Sequence, residues 1–170
     1  MVEHVIVVDE HDTPLGEMEK LEAHQKGVLH RAFSIFIFNS RGELLLQQRA
    51  AEKYHCAGLW TNTCCSHPRS HETNEDAAKR RLMEEMGLRA ELHYAFNFHY
   101  RAEFDDGLIE HEIDHVFIGV SDQIPLMNPL EVGGCRYADL ASLQEDIFYH
   151  PERYTPWLKI CLDMVIAHLD

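Results

Sequence analysis

The sequence predicts a mixed α/β fold in one domain, on three observations. Apolar runs with strand character recur between residues 5 and 120, a strong helical segment interrupts them at 74–86, and a helical stretch follows after 155. Strands with helices inserted between and after them bury their apolar faces as packed layers. The 170 residues suit a single domain spanning 1–170, large enough to bury a core without disulfide staples. No repeat, low-complexity tract or Gly/Ser linker divides them.

Val5 to Val8 is a short apolar run and reads as a strand. Arg31 to Phe38 and Leu44 to Gln48 flank Asn39-Ser40-Arg41-Gly42, a hairpin signal. Asn74 to Met86 changes period: a capping residue, acids Glu75 and Asp76 in the first turn, Ala78, Leu82 and Met86 along one side, and Gly87 as the stop. His93 to Tyr100 and Glu110 to Val120 read as strands joined near Asp105-Asp106-Gly107. Cys135 to Tyr137 adds a further strand. Asp139 caps one late helix and Thr155-Pro156 opens another, with Trp157, Cys161, Met164 and His168 at helical spacing.

The balance of 15 basic to 29 acidic residues gives a net charge of -14, which opposes nonspecific binding to nucleic acid or an anionic membrane. An anionic substrate would need basic residues and metal gathered locally. The opening MVEHVIVVDEHD has no basic n-region, and no stretch approaches membrane-span length, so neither membrane insertion nor export is expected and the predicted location is cytoplasmic. Five cysteines, Cys56, Cys64, Cys65, Cys135 and Cys161, form an odd set without framework spacing and are expected reduced. Oligomeric state is not readable; monomer and dimer both stay open.

The chemistry-bearing stretch is Trp60 to Pro68, WTNTCCSHP. Pro68 biases His67 toward an extended backbone, and with Cys65 extended as well, thiol and imidazole project to one side. On the strand from Glu110 to Val120 the same alternation puts Glu110, Glu112 and Asp114 on the face of Val116, Ile118 and Val120. A bare carboxylate on such a face is costly, so each should be paired, protonated or bound to metal. Thirteen histidines offer partners, His24 and His30 foremost, and three imidazoles with two carboxylates would suit Zn, Mn or Fe. Singly, each feature is more often bland: a satisfied histidine, a solvated Glu-x-Glu face, a small buried cysteine. Paired Cys-x-x-Cys or His-x(3-5)-His spacing of a structural zinc site is not present in usable form.

Ser66-x5-Glu72-x7-Arg80-Arg81-Leu82-Met83-Glu84-Glu85-Met86-Gly87-Leu88 resembles the Nudix box, a loop-helix-loop whose glutamates hold Mg bound to a diphosphate. Ser66 replaces its first glycine and Arg81 one of its glutamates, which argues against plain hydrolysis; a Nudix pyrophosphohydrolase is the alternative. TNTCCSHP, LEAHQKGVLHRAFS, YRAEFDDGLIEHE and this altered box together resemble type I isopentenyl-diphosphate isomerase, in its short bacterial form, over nearly the whole chain. The resemblance implies a Nudix-like α/β/α sandwich with a mixed sheet and an enzyme that interconverts isopentenyl and dimethylallyl diphosphate. It implies Cys65 and Glu112 as the proton-transfer pair and Tyr100 as the hydrogen-bond partner of Glu112. Trp157 would cover the hydrocarbon end, with Trp60 a possible addition to that wall, and Cys64 would have a packing role. His24, His30, His67, Glu110 and Glu112 would hold one Mn2+ or Zn2+, Glu85 one Mg2+ bridging to the diphosphate, and Lys20, Arg49 and Lys53 the phosphates.

That chemistry needs these residue types. Shifting the double bond adds a proton to a terminal alkene carbon and removes one from the carbon nearer the diphosphate, through a tertiary carbocation. An alkene is a weak base, so the acid must be strong and shielded from water, as a metal-bound carboxyl at Glu112 would be. Cys65 would accept the allylic proton as a thiolate favoured by nearby metal, the two roles exchanging in reverse. An aromatic face such as Trp157 stabilises a desolvated cation by about 2 kcal/mol.

Overall fold

A computed structural model describes residues 2–170. Met1, inside the predicted 1–170 domain, lies outside the described residues. The elements in chain order are β1 (His4–Val8), β2 (Pro14–Glu19), α1 (Lys20–Lys26), β3 (His30–Phe38), β4 (Leu44–Arg49), β5 (Trp60–Thr61) and β6 (Cys64–Ser66). There follow α2 (Asn74–Met86), β7 (His93–Glu103), β8 (Ile109–Val120), β9 (Val132–Ala138), α3 (Leu140–Tyr149), a 3-10 turn at Pro151–Arg153 and α4 (Pro156–Leu169).

Among the described residues all nine strands join one mixed sheet organised by β3. Along one edge β3 pairs in parallel with β8, from His30 opposite Glu112 to Phe38 opposite Val120. Its other edge is shared in succession by β1 at His30, by β6 at Phe33 to Ile35 and by β4 at Phe38. The predicted 31–48 hairpin therefore closes only at its turn, after which β3 and β4 splay. The buried run Thr61-Asn62-Thr63 fills the wedge. Thr63 Oγ1 accepts from Ile37 N–H at 2.9 Å and donates to the Leu45 carbonyl at 2.6 Å, while Asn62 Nδ2 donates to the carbonyls of Ile35 and Cys64. Polar side chains are affordable at zero exposure because they complete backbone hydrogen bonds that the splayed strands cannot make to each other.

Alternation along β3 separates two cores. Phe36 and Phe38 pack with α4 residues Trp157, Leu158, Cys161, Leu162 and Val165, whereas Phe33, Ile35 and Ile37 pack with α2 residues Ala77, Ala78, Leu82 and Met86. Helices thus cover both faces of a mixed sheet, the expected α/β/α layering. Helix α2 has the predicted bounds, with Thr73 as its cap, accepting from Asp76 N–H, and Gly87 at φ 62° as its stop. Met164 and His168 are exposed, because the buried stripe of α4 turns through Leu158, Leu162 and Val165. Val120 is 64% exposed although it continues the apolar face.

Candidate active site

Four potential ligands converge from four segments: His24 on α1, His30 at the start of β3, His67 just beyond β6, and Glu112 on β8. One ligand atom from each lies within 4.8 Å of the others. His30 and Glu112 are placed opposite each other by the parallel register. His30 Nε2 and His67 Nε2 lie 3.0 and 2.7 Å from Glu112 Oε2. His30 Nδ1 is bonded to the Val28 carbonyl at 2.8 Å and His24 Nδ1 to Tyr54 Oη at 2.7 Å, leaving His24 Nε2 buried and without a partner. Three imidazole nitrogens and a carboxylate, one nitrogen orphaned, fit a divalent ion of borderline softness.

Burial and the nearby His67 lower His24 to about 3, and burial lowers His67 against the pull of Glu112, so both rings are neutral near pH 7 and can act as ligands. His30 is raised despite its burial, because it bonds the Glu112 carboxylate. Burial alone would raise Glu112, but its bonds from His30 and His67 outweigh this and hold it well below the usual carboxylate range.

The other carboxylates of the β8 face meet different fates. Glu110 is gripped on both oxygens, Oε1 by His55 Nε2 and Oε2 by the Tyr100 hydroxyl at 2.7 Å. It stands outside the converging set of four, unlike the five-ligand expectation. Tyr100 therefore bonds Glu110 and not Glu112. Its Cα is in register with Glu112, but an aromatic side chain spans the diagonal to the residue two positions away. Asp114 accepts from Ser34 Oγ at 2.7 Å and keeps its other oxygen buried and unpartnered. Burial and the charge of Glu112 raise it well above the usual carboxylate range.

Strand β6 points its two cysteines to opposite faces. Cys64 is fully buried on the α2 side and donates to Glu85 Oε2 at 2.8 Å, while Cys65 faces α4. Cys65 Sγ accepts from Trp157 Nε1–H at 3.1 Å and lies 3.1 Å from Asn62 Oδ1. Burial and nearby Asp114 push its thiol up to about 12 against the pull of Arg49. All five cysteines are free.

Cys65, His67, Glu110, Glu112, Asp114 and Trp157 line a cleft of about 490 Å³ including its open mouth. Lys20, Arg49, Lys53 and Arg81 line it too, so four cations meet at one place in a chain of net charge -14. Lys20 pairs with Glu3, Lys53 with Glu131, and the Arg49 guanidinium lies 5.3 Å from the centroid of the Trp157 ring. Two expected positions differ. Glu85 is buried and off the wall, held by Cys64 and by Arg81 at 3.4 Å, because its turn of α2 faces the core. Trp60 is also off the wall; it stacks under Arg136 at 4.9 Å in a separate groove with α3.

The NUDIX domain profile matches residues 28–158. Isopentenyl-diphosphate Delta-isomerase 2 of Aromatoleum aromaticum is 55% identical over 167 residues, covering 98% of this chain and 88% of that one. The chain belongs to the isopentenyl-diphosphate Delta-isomerase family, within the Nudix domain proteins. A second family member, isopentenyl-diphosphate Delta-isomerase of Pectobacterium atrosepticum, is 53% identical, covering 92% of this chain and 87% of that one. Among solved structures the fold is shared with DR0079 of Deinococcus radiodurans, at 19% identity and a TM-score of 0.72 over 87% of this chain and 90% of that one. It is shared also with the MutT NUDIX hydrolase of Burkholderia pseudomallei, at 20% identity and a TM-score of 0.64 over 79% of this chain and 96% of that one.

The sequence reading left three residues around this cleft unassigned: Tyr54, His55, and Arg81 as a wall residue. Asp114 was placed on the Glu112 face by alternation, and its bond from Ser34 is one of the outcomes expected there. Tyr54 and His55 sit in a loop whose path no periodicity predicts.

Proposed function

We propose that this chain is a divalent-metal-dependent isopentenyl-diphosphate isomerase, a cytoplasmic enzyme of isoprenoid synthesis acting as one domain over 1–170. The observation that carries it is Cys65 and Glu112 lining one cation-walled cleft beside the Trp157 indole. Isomerisation by proton addition and loss needs two groups that differ by one proton, and thiol with carboxylate is such a pair. With the proton on Cys65 the pair matches dimethylallyl diphosphate; with the proton on Glu112 it matches isopentenyl diphosphate. In the second state Glu112 gives a proton to the terminal alkene carbon and Cys65 removes one from the carbon nearer the diphosphate.

The Trp157 ring would give a tertiary cation, which has no hydrogen-bonding handle, a cation-π partner, and exclusion of water would limit its capture. Lys20, Arg49 and Lys53 take the diphosphate, joined by Arg81. Mn2+ or Zn2+ would be held by His24, His30, His67 and Glu112, with Glu110 alongside, and Mg2+ would enter with the diphosphate near Glu85. A bound divalent ion supplies positive charge that makes a carboxyl on Glu112 a stronger acid.

The test incubates pure protein, isopentenyl diphosphate and Mg2+ in deuterated water. Dimethylallyl diphosphate carrying solvent deuterium is the expected product. Release of phosphate instead would move the assignment to a Nudix pyrophosphohydrolase, and unlabelled product would exclude proton addition and elimination.

A further inference from the structure

The loop between β4 and β5 holds two side chains that the proton chemistry does not use. Its neck is closed by backbone bonds from Arg49 N–H to Leu59 O and from Gly58 N–H to Arg49 O. Within it Tyr54 meets His24, its hydroxyl 2.7 Å from Nδ1, and the neighbouring His55 bonds Glu110. The two rings brace each other at 4.6 Å between centroids, and Phe104, beyond β7, meets His55 edge-on at 5.3 Å. Cys56, next in the chain, has φ 53°, a left-handed conformation unfavourable for a side-chain-bearing residue. Such a residue persists where its surroundings over-determine it, commonly beside a functional site.

We propose that Tyr54 and His55 are positioning residues of the metal centre, Tyr54 fixing His24 and His55 fixing Glu110. This rests on the reading that His24, His30, His67 and Glu112 hold a divalent ion with Glu110 as a fifth ligand. With Nδ1–H donating to the Tyr54 oxygen, His24 is locked in the tautomer whose bare Nε2 faces the other ligands, and that nitrogen is the buried one with no partner. A ring that keeps its outer nitrogen anchored binds metal without first paying for reorientation. His55 does the equivalent for a carboxylate: with Tyr100 on the other oxygen, Glu110 has no freedom to swing.

The test titrates Co2+ into chelator-stripped full-length protein, reading affinity by calorimetry and coordination by visible absorption. Tyr54→Phe and His55→Phe should each raise the Co2+ Kd about 10–100-fold. His55→Phe should also change the Co2+ band, because Glu110 is released, and His55→Gln, which keeps an N–H donor, should restore both. Either Phe variant with wild-type Kd and spectrum overturns the role of that residue. Should His55→Phe fail to fold by circular dichroism, Tyr54→Phe and His55→Gln still decide. Wild-type protein that binds Co2+ without turning over isopentenyl diphosphate sinks the isomerase reading and leaves this one standing, whereas failure to bind Co2+ sinks this one.

Discussion

Cys64 and Cys65 are adjacent, yet one is sealed against α2 and the other lines the cleft, since successive residues of an extended strand face opposite ways. Removing the exchangeable proton at either end of the pair should therefore be severe. Cys65→Ala and Glu112→Gln are each expected to lower the isomerisation rate by about 10²–10⁴-fold, with unchanged circular dichroism; wild-type turnover in either would rule out the pair. Trp157 has two separable contributions. Trp157→Phe keeps an aromatic face and loses the N–H bond to Cys65, so it should retain more turnover than Trp157→Ala, which also loses a cation-π contact of about 2 kcal/mol. Equal rates for the two would mean that the ring face contributes nothing. The directions of Cys65, His67 and Glu112 were legible because period two fixes them on an extended run, whereas their roles came from the family resemblance. The partner of Tyr100 was not, because register gives the position of a Cα and not the reach of an aromatic side chain.

Helix α2 was readable to the residue because cap, apolar stripe and glycine stop agree. Its stop is also demanding. A Cβ at Gly87 would stand 2.7 Å from the Leu126 carbonyl oxygen, whereas one at Gly42, φ 77°, meets nothing within 4 Å. Gly42→Ala should cost only the left-handed backbone term of about 1–2 kcal/mol, and Gly87→Ala distinctly more, both read from chemical denaturation; equal losses would show that Leu126 yields freely. Elements β2 and α1 escaped the sequence reading: β2 is exposed along nearly its whole length and α1 has only seven residues, so neither carries a usable period. They are tied to β1 by Glu3, which accepts from Lys20 Nζ at 2.8 Å. Burial would raise the Glu3 carboxyl, but Lys20 outweighs it and lowers it to about 2. A depressed carboxylate stabilises the fold above its unfolded value, here 4.5, and that contribution disappears as pH falls from there to about 2. Wild type should accordingly lose more melting temperature than Glu3→Gln across that interval, and parallel pH curves would refute the link.

For the whole molecule, layers were predictable and connectivity was not. Apolar runs announce strands, but nothing in the stretch 30–38 says that its partner in register is 112–120, or that three strands share its other edge. The wedge between β3 and β4 depends on this topology, so Thr63→Val, which strands the Ile37 N–H and the Leu45 carbonyl together, should cost about 2 kcal/mol or more in denaturant titrations. A near-neutral result would mean that water replaces the hydroxyl. The parallel pairing of β3 with β8 has a further consequence for how the enzyme comes into being. His30 and Glu112 are 82 residues apart in sequence, and the cleft draws residues from Lys20 to Trp157. Contacts of that span form late and slowly, since the loop must close before they reward it. Partly ordered chains would then be catalytically silent, and the return of turnover after dilution from denaturant would act as a clock for sheet closure, lagging the far-ultraviolet signal of the locally formed helices.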